Sequence, residues 1–272
     1  MSFSQSQSGR LAVQMISHIR HALPAVLAVG SLVLIWEGYA RFSGVSPTTL
    51  PAPSRVLEQA FEYRQALFDN AIPTLRATLT GFALSLAAAF LLSVIIDFVP
   101  RLKRALFPVF IISQTLPLVA IAPLIVLWFG FGLLPKILLV ALVTFFPMLV
   151  ALSKGYEATE QDLEQLLASM GAPRWKLFWL ARLPSSLPFF FAGLRISITY
   201  AVVGAIFAEY AGAAKGLGIY MLNAKNNFRP DLVLAAVLVS AALTLCLFGA
   251  AVLAERLAMP WTRRVSTGGQ NR

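Results

Sequence analysis

Charge is scarce in this sequence. Only 12% of its 272 residues are Asp, Glu, Lys or Arg, while 58% are hydrophobic; a soluble globular protein carries roughly 25% charged residues. So few charges leave too little polar surface to cover a water-exposed globule, which excludes the ordinary soluble class and points to an integral membrane protein. Cysteine is almost missing. Cys246 stands alone inside an apolar run, which rules out a disulfide framework and reads as a packing position. Histidine is equally thin: His18 and His21 have no nearby Cys or carboxylate and make no convincing metal site. There is no G-x4-G-K-[ST], so the chain is not expected to hold ATP through a P-loop. Nor is there a G-x-S-x-G or H-E-x-x-H, which counts against a membrane hydrolase. Acidic residues are outnumbered, giving a net charge of +10. The Lys and Arg residues sit in short groups between apolar runs rather than on one face, so a nucleic-acid partner is not expected.

What the sequence does hold is long apolar runs. Six have the ~20 residues that cross a ~30 Å hydrocarbon core, near 22–42, 77–98, 105–129, 133–153, 186–211 and 231–255. They are continuous, so they fit helices rather than the alternating strands of an outer-membrane barrel, and lipid offers no partner to free backbone groups. The N-terminal basic lead and apolar stretch look like a signal peptide, but the stretch is too long and no small-x-small site follows, so a retained first span is expected. Met1 to Gly9 reads as a Ser/Gln-rich disordered tail. Of the 22 Lys and Arg residues, thirteen fall on the side that holds both termini, eight on the other, and Arg195 within the fifth span. The positive-inside rule then places both termini in the cytoplasm. The expected fold is all-α and polytopic with about six transmembrane helices. Its parts are a cytoplasmic tail (1–21), a transmembrane domain (22–258) with an inner loop at 154–185, and a second tail (259–272).

The first outer loop, Ser43 to Pro73, contains Pro53 and then apolar pairs at Val56/Leu57, Ala60/Phe61 and Leu67/Phe68, which predict a short surface helix. The inner loop is more informative. Thr159 and Asp162 form an S/T-x-x-D/E capping pattern before an apolar stripe of Leu163, Leu166, Leu167 and Met170. Gly171 allows a turn with positive φ. Pro173 opens a second helix, Arg174 to Leu183, rich in Trp and Arg, and Pro184 and Pro188 are expected to stop it and start the next span. Three readings stand at this point: an interfacial helix pair resting on lipid, a long connecting loop, or a docking element for a cytoplasmic partner.

The spacing G-x9-A-x-L-P at Gly171, Ala181, Leu183 and Pro184 resembles the cytoplasmic loop signature of bacterial ABC importer permeases, written EAA-x3-G-x9-I-x-L-P. Segments "LPAPSRV" (50–56), "QTLPLVAIAPLIVLWFGFG" (114–132), "TFFPMLVA" (144–151), "LPSSLPFFFAGLRIS" (183–197) and "AEYAGAAKGLG" (208–218) are similar to their counterparts in the nitrate, sulfonate, taurine and thiamine-pyrimidine-precursor branch. The resemblance covers about residues 30 to 260. It implies that the 154–185 loop is a helix-turn-helix fitting a cleft on a separate ATPase subunit. The family's Glu-Ala-Ala falls on Gln165, Leu166 and Leu167, so a neutral amide stands where an acid is usual. A shift of one residue to Glu164 would turn the side chain by about 100° on a helix.

For a translocation path the candidates are Gln114 and Thr115, followed by Pro117 and Pro123; Pro147; Arg195; and Glu209, while Phe145, Phe146 and Pro147 either help close a gate or pack against neighbouring helices. Polar groups in spans are costly and face a cavity or a partner. Gln114 either lines the path or braces a proline kink. Arg195 and Glu209 lie fourteen residues apart, ~21 Å along a helix, so they cannot pair with each other; each needs its own partner, water or headgroups. The resemblance places an acidic residue like Glu209 before the "GLG" turn, supporting the outer mouth. Trp36, Trp128 and Trp261 fit an aromatic belt, and the outer segments 43–73 and 211–230 fit a surface for a solute-binding protein.

Taken together, the resemblance implies the permease subunit of an ABC importer in a bacterial inner membrane. It would work as a homodimer with two ATP-binding subunits on the cytoplasmic side and one periplasmic or extracellular binding protein. ATP and Mg would be held by the partner ATPase and no cofactor by this chain. The solute would be a small organic or anionic one, of thiamine-precursor pyrimidine, sulfonate, taurine or nitrate type. The alternative class, an ion-coupled secondary carrier, would need ionisable residues at mid-membrane and an internal repeat.

Overall fold

A computed structural model describes residues 5–260; for residues 5–22 and 25 only the backbone is described. The expected belt residue Trp261 and most of the C-terminal tail therefore lie outside the described residues. The helices in chain order are α1 (Gln5–Phe42), α2 (Pro53–Glu62), α3 (Arg64–Phe98), α4 (Pro100–Gln114), α5 (Leu118–Phe129), α6 (Leu133–Glu157), α7 (Gln161–Ser169), α8 (Arg174–Leu177), a π-helical turn (Phe178–Arg182), α9 (Leu183–Gly212), α10 (Leu217–Asn226) and α11 (Pro230–Ala258). Among the described residues four helical stretches are long and apolar enough to cross a membrane: Arg64–Phe98, Leu133–Glu157, Arg174–Gly212 and Pro230–Ala258. The first expected span falls in α1, whose backbone is helical from Gln5, within the stretch expected as a tail.

Two expectations about proline change here. The third span is not a kinked rod. α4 and α5 meet at 100° across Thr115–Pro117, because Pro117 has no N–H to continue the ladder and holds extended backbone as the N-cap of α5. Conversely, Pro184 and Pro188 do not break the chain. The π turn widens the backbone just ahead of them, with the Leu183 N–H donating to the Phe178 carbonyl. That relieves the clash a proline ring makes with the preceding turn, so one continuous stretch runs from Arg174 to Gly212.

The chain divides into two compact units, Met1–Tyr63 with Ala224–Ala235, and Arg64–Asn223 with Ala236–Arg272. In the first, the Glu37 carboxylate near the end of α1 accepts the Ser54 N–H at 2.9 Å and its hydroxyl at 2.8 Å, and it also pairs with Arg41. A remote acid thus caps α2, whose own N-cap, Ala52, offers no side-chain oxygen. The surface helix expected from Ser54 to Phe68 ends instead at Glu62, with Tyr63 as its C-cap. Asp231 takes Arg55 at 3.4 Å and Arg229 at 3.0 Å, and Arg229 also reaches Gln59 at 2.5 Å. The hydrogen bond to Asp231 raises the Arg229 guanidinium above its ordinary range.

In the second unit α6 packs along both α3 and α9. The approach is close enough that a Cβ on Gly193 of α9 would sit 2.5 Å from Ala151 Cβ of α6, and one on Gly81 of α3 would sit 2.6 Å from Val140 Cβ. Small residues at crossings let helices approach where lipid supplies no hydrophobic drive. The core is apolar, with Ala89, Met148, Leu149, Phe191 and Ile198 buried together. Outward faces carry exposed Leu79, Leu91 and Ile95, as helices in hydrocarbon do.

Candidate functional site

The 159–184 hairpin is built from the end of α6 onward. Thr159 does not cap the next helix, as the S/T-x-x-D/E pattern predicts. It is buried, and its hydroxyl donates to the Tyr156 carbonyl at 2.9 Å, satisfying the last turn of α6. The N-cap of α7 is Glu160, without a side-chain cap bond, and Asp162 and Glu164 in its first turn complement the helix dipole. α7 closes at Gly171, which has φ +76°. The Gly171 N–H donates to the Ala168 carbonyl and the Ala172 N–H to the Leu167 carbonyl, both at 3.0 Å. That is a Schellman cap, which glycine forms without the Cβ penalty.

No side chain of α7 is buried. Leu166 is 57% exposed and Met170 75%, and Trp175, Trp179 and Leu180 are exposed beyond the turn. Gln165 is exposed as well, Leu167 is half-buried, and Ala181 is buried. The hairpin is tied to the rest of the unit by a fork. Arg182 Nε lies 2.8 Å from Glu164 Oε1, and Nη1 lies 2.8 and 2.9 Å from the two oxygens of Asp97 at the end of α3. Beside it Phe178 is buried against Phe98 and Tyr156, with ring centroids 5.6 and 5.1 Å apart. The acid next to Gln165 is therefore engaged inside the chain.

The second feature is an open cleft of about 720 Å³ between the α4–α5 bend, α6 and α9. Gln114 and Pro147 line it, together with Ser113, Phe146, Gly193 and Tyr200. The other expected path residues are elsewhere. Thr115 closes α4, its hydroxyl donating to the Ile112 carbonyl at 2.7 Å, and Pro117 caps α5. Arg195 pairs with Glu255 of α11, so it has a partner rather than only the interface.

Glu209 is fully buried. Its carboxylate accepts the Gly218 N–H at 2.8 Å and lies 3.7 Å from the Lys136 ammonium, and Thr74 of α3 donates to it. Thr74 also accepts the Leu217 N–H at 2.8 Å, Asn70 accepts the Gly216 N–H at 3.0 Å, and Lys136 donates to the Lys215 carbonyl at 3.1 Å. α3, α6, α9 and the "KGLG" turn thus meet at one carboxylate. A Cβ on Gly216 would fall 2.1 Å from Glu209 Cδ, which is why this turn takes glycine. Residue-type reasoning found Glu209 but not Thr74, Asn70, Lys136, Asp97 or Glu255. A rare charge in an apolar helix was the available signal for Lys136, Asp97 and Glu255; Thr74 and Asn70 carry none.

Comparison with known proteins fits this geometry. Residues 81–258 match the family model described as binding-protein-dependent transport system inner membrane component. Among curated proteins, the chain is 35% identical over 244 residues to a formylaminopyrimidine transport permease protein of Halalkalibacterium halodurans, covering 89% of this chain and 97% of the relative. It is 34% identical to a riboflavin transport system permease protein of Chloroflexus aurantiacus, covering 88% and 89%. It is 32% identical to a taurine transport system permease protein of Escherichia coli, covering 86% and 89%.

Proposed function

This chain belongs to the family of inner membrane components of binding-protein-dependent transport systems, and on that premise we propose that it forms the solute path of an ATP-binding-cassette importer and is driven by a separate ATPase through the 159–184 hairpin. It is a multi-pass permease of the inner membrane. In this reading two copies enclose the path, two ATPase subunits bind on the cytoplasmic side with both termini, and a solute-binding protein delivers the solute from the other side. ATP and Mg belong to the ATPase.

The observation that carries the proposal is the hairpin itself. It is an ordered, glycine-capped pair of helices whose apolar side chains, Leu166, Met170, Trp175 and Trp179, are exposed on this chain. A surface of that kind gains most by entering a protein cleft. ATPase closure would then bring two hairpins together and bias the spans between two states. The solute is a small organic or anionic molecule, supported by relatives whose names specify formylaminopyrimidine, riboflavin and taurine transport. Gln114, Pro147 and the cleft they line form part of its route.

Gly171 supplies the test. Its φ of +76° costs an L-residue about 1–2 kcal/mol, and most for a β-branched one, although a Cβ would meet nothing within 4 Å. Gly171→Val should lower solute-stimulated ATP hydrolysis by the complex reconstituted with its ATPase and binding protein, while Gly171→Asn, which tolerates that backbone, should keep most of it. Unchanged stimulation in Gly171→Val would sink the docking role.

A further inference from the structure

We infer that Arg182 is a positioning residue that carries motion of the hairpin to α3, with Asp97 as its receiving end. The inference rests on the permease reading above and adds a route by which the spans receive the ATPase's movement.

The geometry points this way in three respects. First, α7 buries none of its own side chains, so packing holds it weakly. Its firm tie to the bundle is the pair of bonds from Arg182 Nε and Nη2 to Glu164, at 2.8 and 3.3 Å. Second, the same guanidinium grips both oxygens of Asp97. A planar fork with five N–H donors can serve two carboxylates at once, which a lysine ammonium cannot match. The three side chains are only 28%, 26% and 13% exposed for Arg182, Glu164 and Asp97, so solvent screens them less than an open surface pair. Third, Arg182 is the last residue of the π turn. Such turns recur at functional sites.

Two routes therefore leave α7. One is covalent, through the Gly171 turn, α8 and the π turn into α9. The other crosses from Glu164 through Arg182 to Asp97 at the end of α3. The second engages α3 directly through a charged pair, where the first reaches it by way of packing around Phe178 and along α9. Neither Arg182 nor Asp97 belongs to the exposed apolar surface that would meet the ATPase, so both can be altered without touching that surface. Of the nearby cations, Lys103 is paired with Glu157, while Arg174 lines a small pocket with Asp97 and Arg182.

The experiment uses the full complex of permease, ATPase and binding protein in proteoliposomes. It reads three quantities: ATPase retained on the permease, ATP hydrolysed, and solute moved per ATP. Arg182→Gln and Asp97→Asn should retain the ATPase as the parent does and still hydrolyse ATP, but move about tenfold less solute per ATP, a typical coupling between sites. Arg182→Lys should fall between. The Arg182→Gln/Asp97→Asn double variant should be no worse than Arg182→Gln alone, as expected when two residues act in one link. A normal solute-to-ATP ratio in Arg182→Gln, or additive losses in the double variant, overturns the inference. If Arg182→Gln does not reach the membrane, Asp97→Asn decides; if neither does, the fork is a folding element and the inference fails. A parent chain that retains no ATPase would instead overturn the permease reading itself.

Discussion

Thr74 and Glu209, on different helices, share one hydroxyl: Thr74 Oγ1 lies 2.9 and 3.0 Å from the two carboxylate oxygens, and it accepts the Leu217 N–H from the other side. All of these groups are buried. Thr74→Val keeps the shape but takes one donor from the carboxylate and strands the Leu217 N–H, at about 1–3 kcal/mol. The detergent-purified variant should unfold at a clearly lower temperature, and Thr74→Ser should recover most of the loss. Equal stability of Val and Thr at this position would show that the hydroxyl is idle.

Gly216→Ala tests the same junction from the turn. The added carbon would overlap the Glu209 carboxylate and would also sit at φ +142°. Gly249→Ala, in α11, meets nothing within 4 Å. Membrane yield should collapse for the first substitution and stay at the parent level for the second.

The cleft separates two adjacent residues. Gln114 lines it and Thr115 does not. Gln114→Ala should alter solute uptake by the reconstituted complex without changing its thermal stability, and Thr115→Ala should leave uptake near normal. The reverse result would remove this cleft from the route.

Arg195 and Glu255 are joined over 60 positions of sequence. Arg195→Gln and Glu255→Gln should each lower the unfolding temperature, because each leaves a charge partly buried and alone. The double variant should cost less than the two losses added, since neither charge then remains stranded. Strict additivity would mean that the pair is not coupled.

Local chemistry was the legible part of this protein. The αL turn at Gly171, the apolar stripe of α7 and the burden of Glu209 all follow from residue type and spacing within a few positions. Proline was legible only in part. Pro117 breaks its span more sharply than a kink, while Pro184 and Pro188 are absorbed by a π turn that nothing in residue type announces. Partners across the fold were not legible. Asp97 stands 85 positions from Arg182, and Thr74 stands 135 from Glu209. Only helix packing brings them together, and apolar periodicity does not encode which polar group faces which.

The bend at 115–117 also bears on how the chain enters the bilayer. α4 has 15 residues and α5 has 12; at 1.5 Å each they reach only ~22 and ~18 Å, short of a ~30 Å core. Neither half can be accepted as a stable span by itself, and hydrocarbon cannot solvate the open backbone between them. This segment must therefore settle late in biogenesis, once α6 and α9 are present to receive it, whereas α3, α6 and α9 can each partition into lipid on their own.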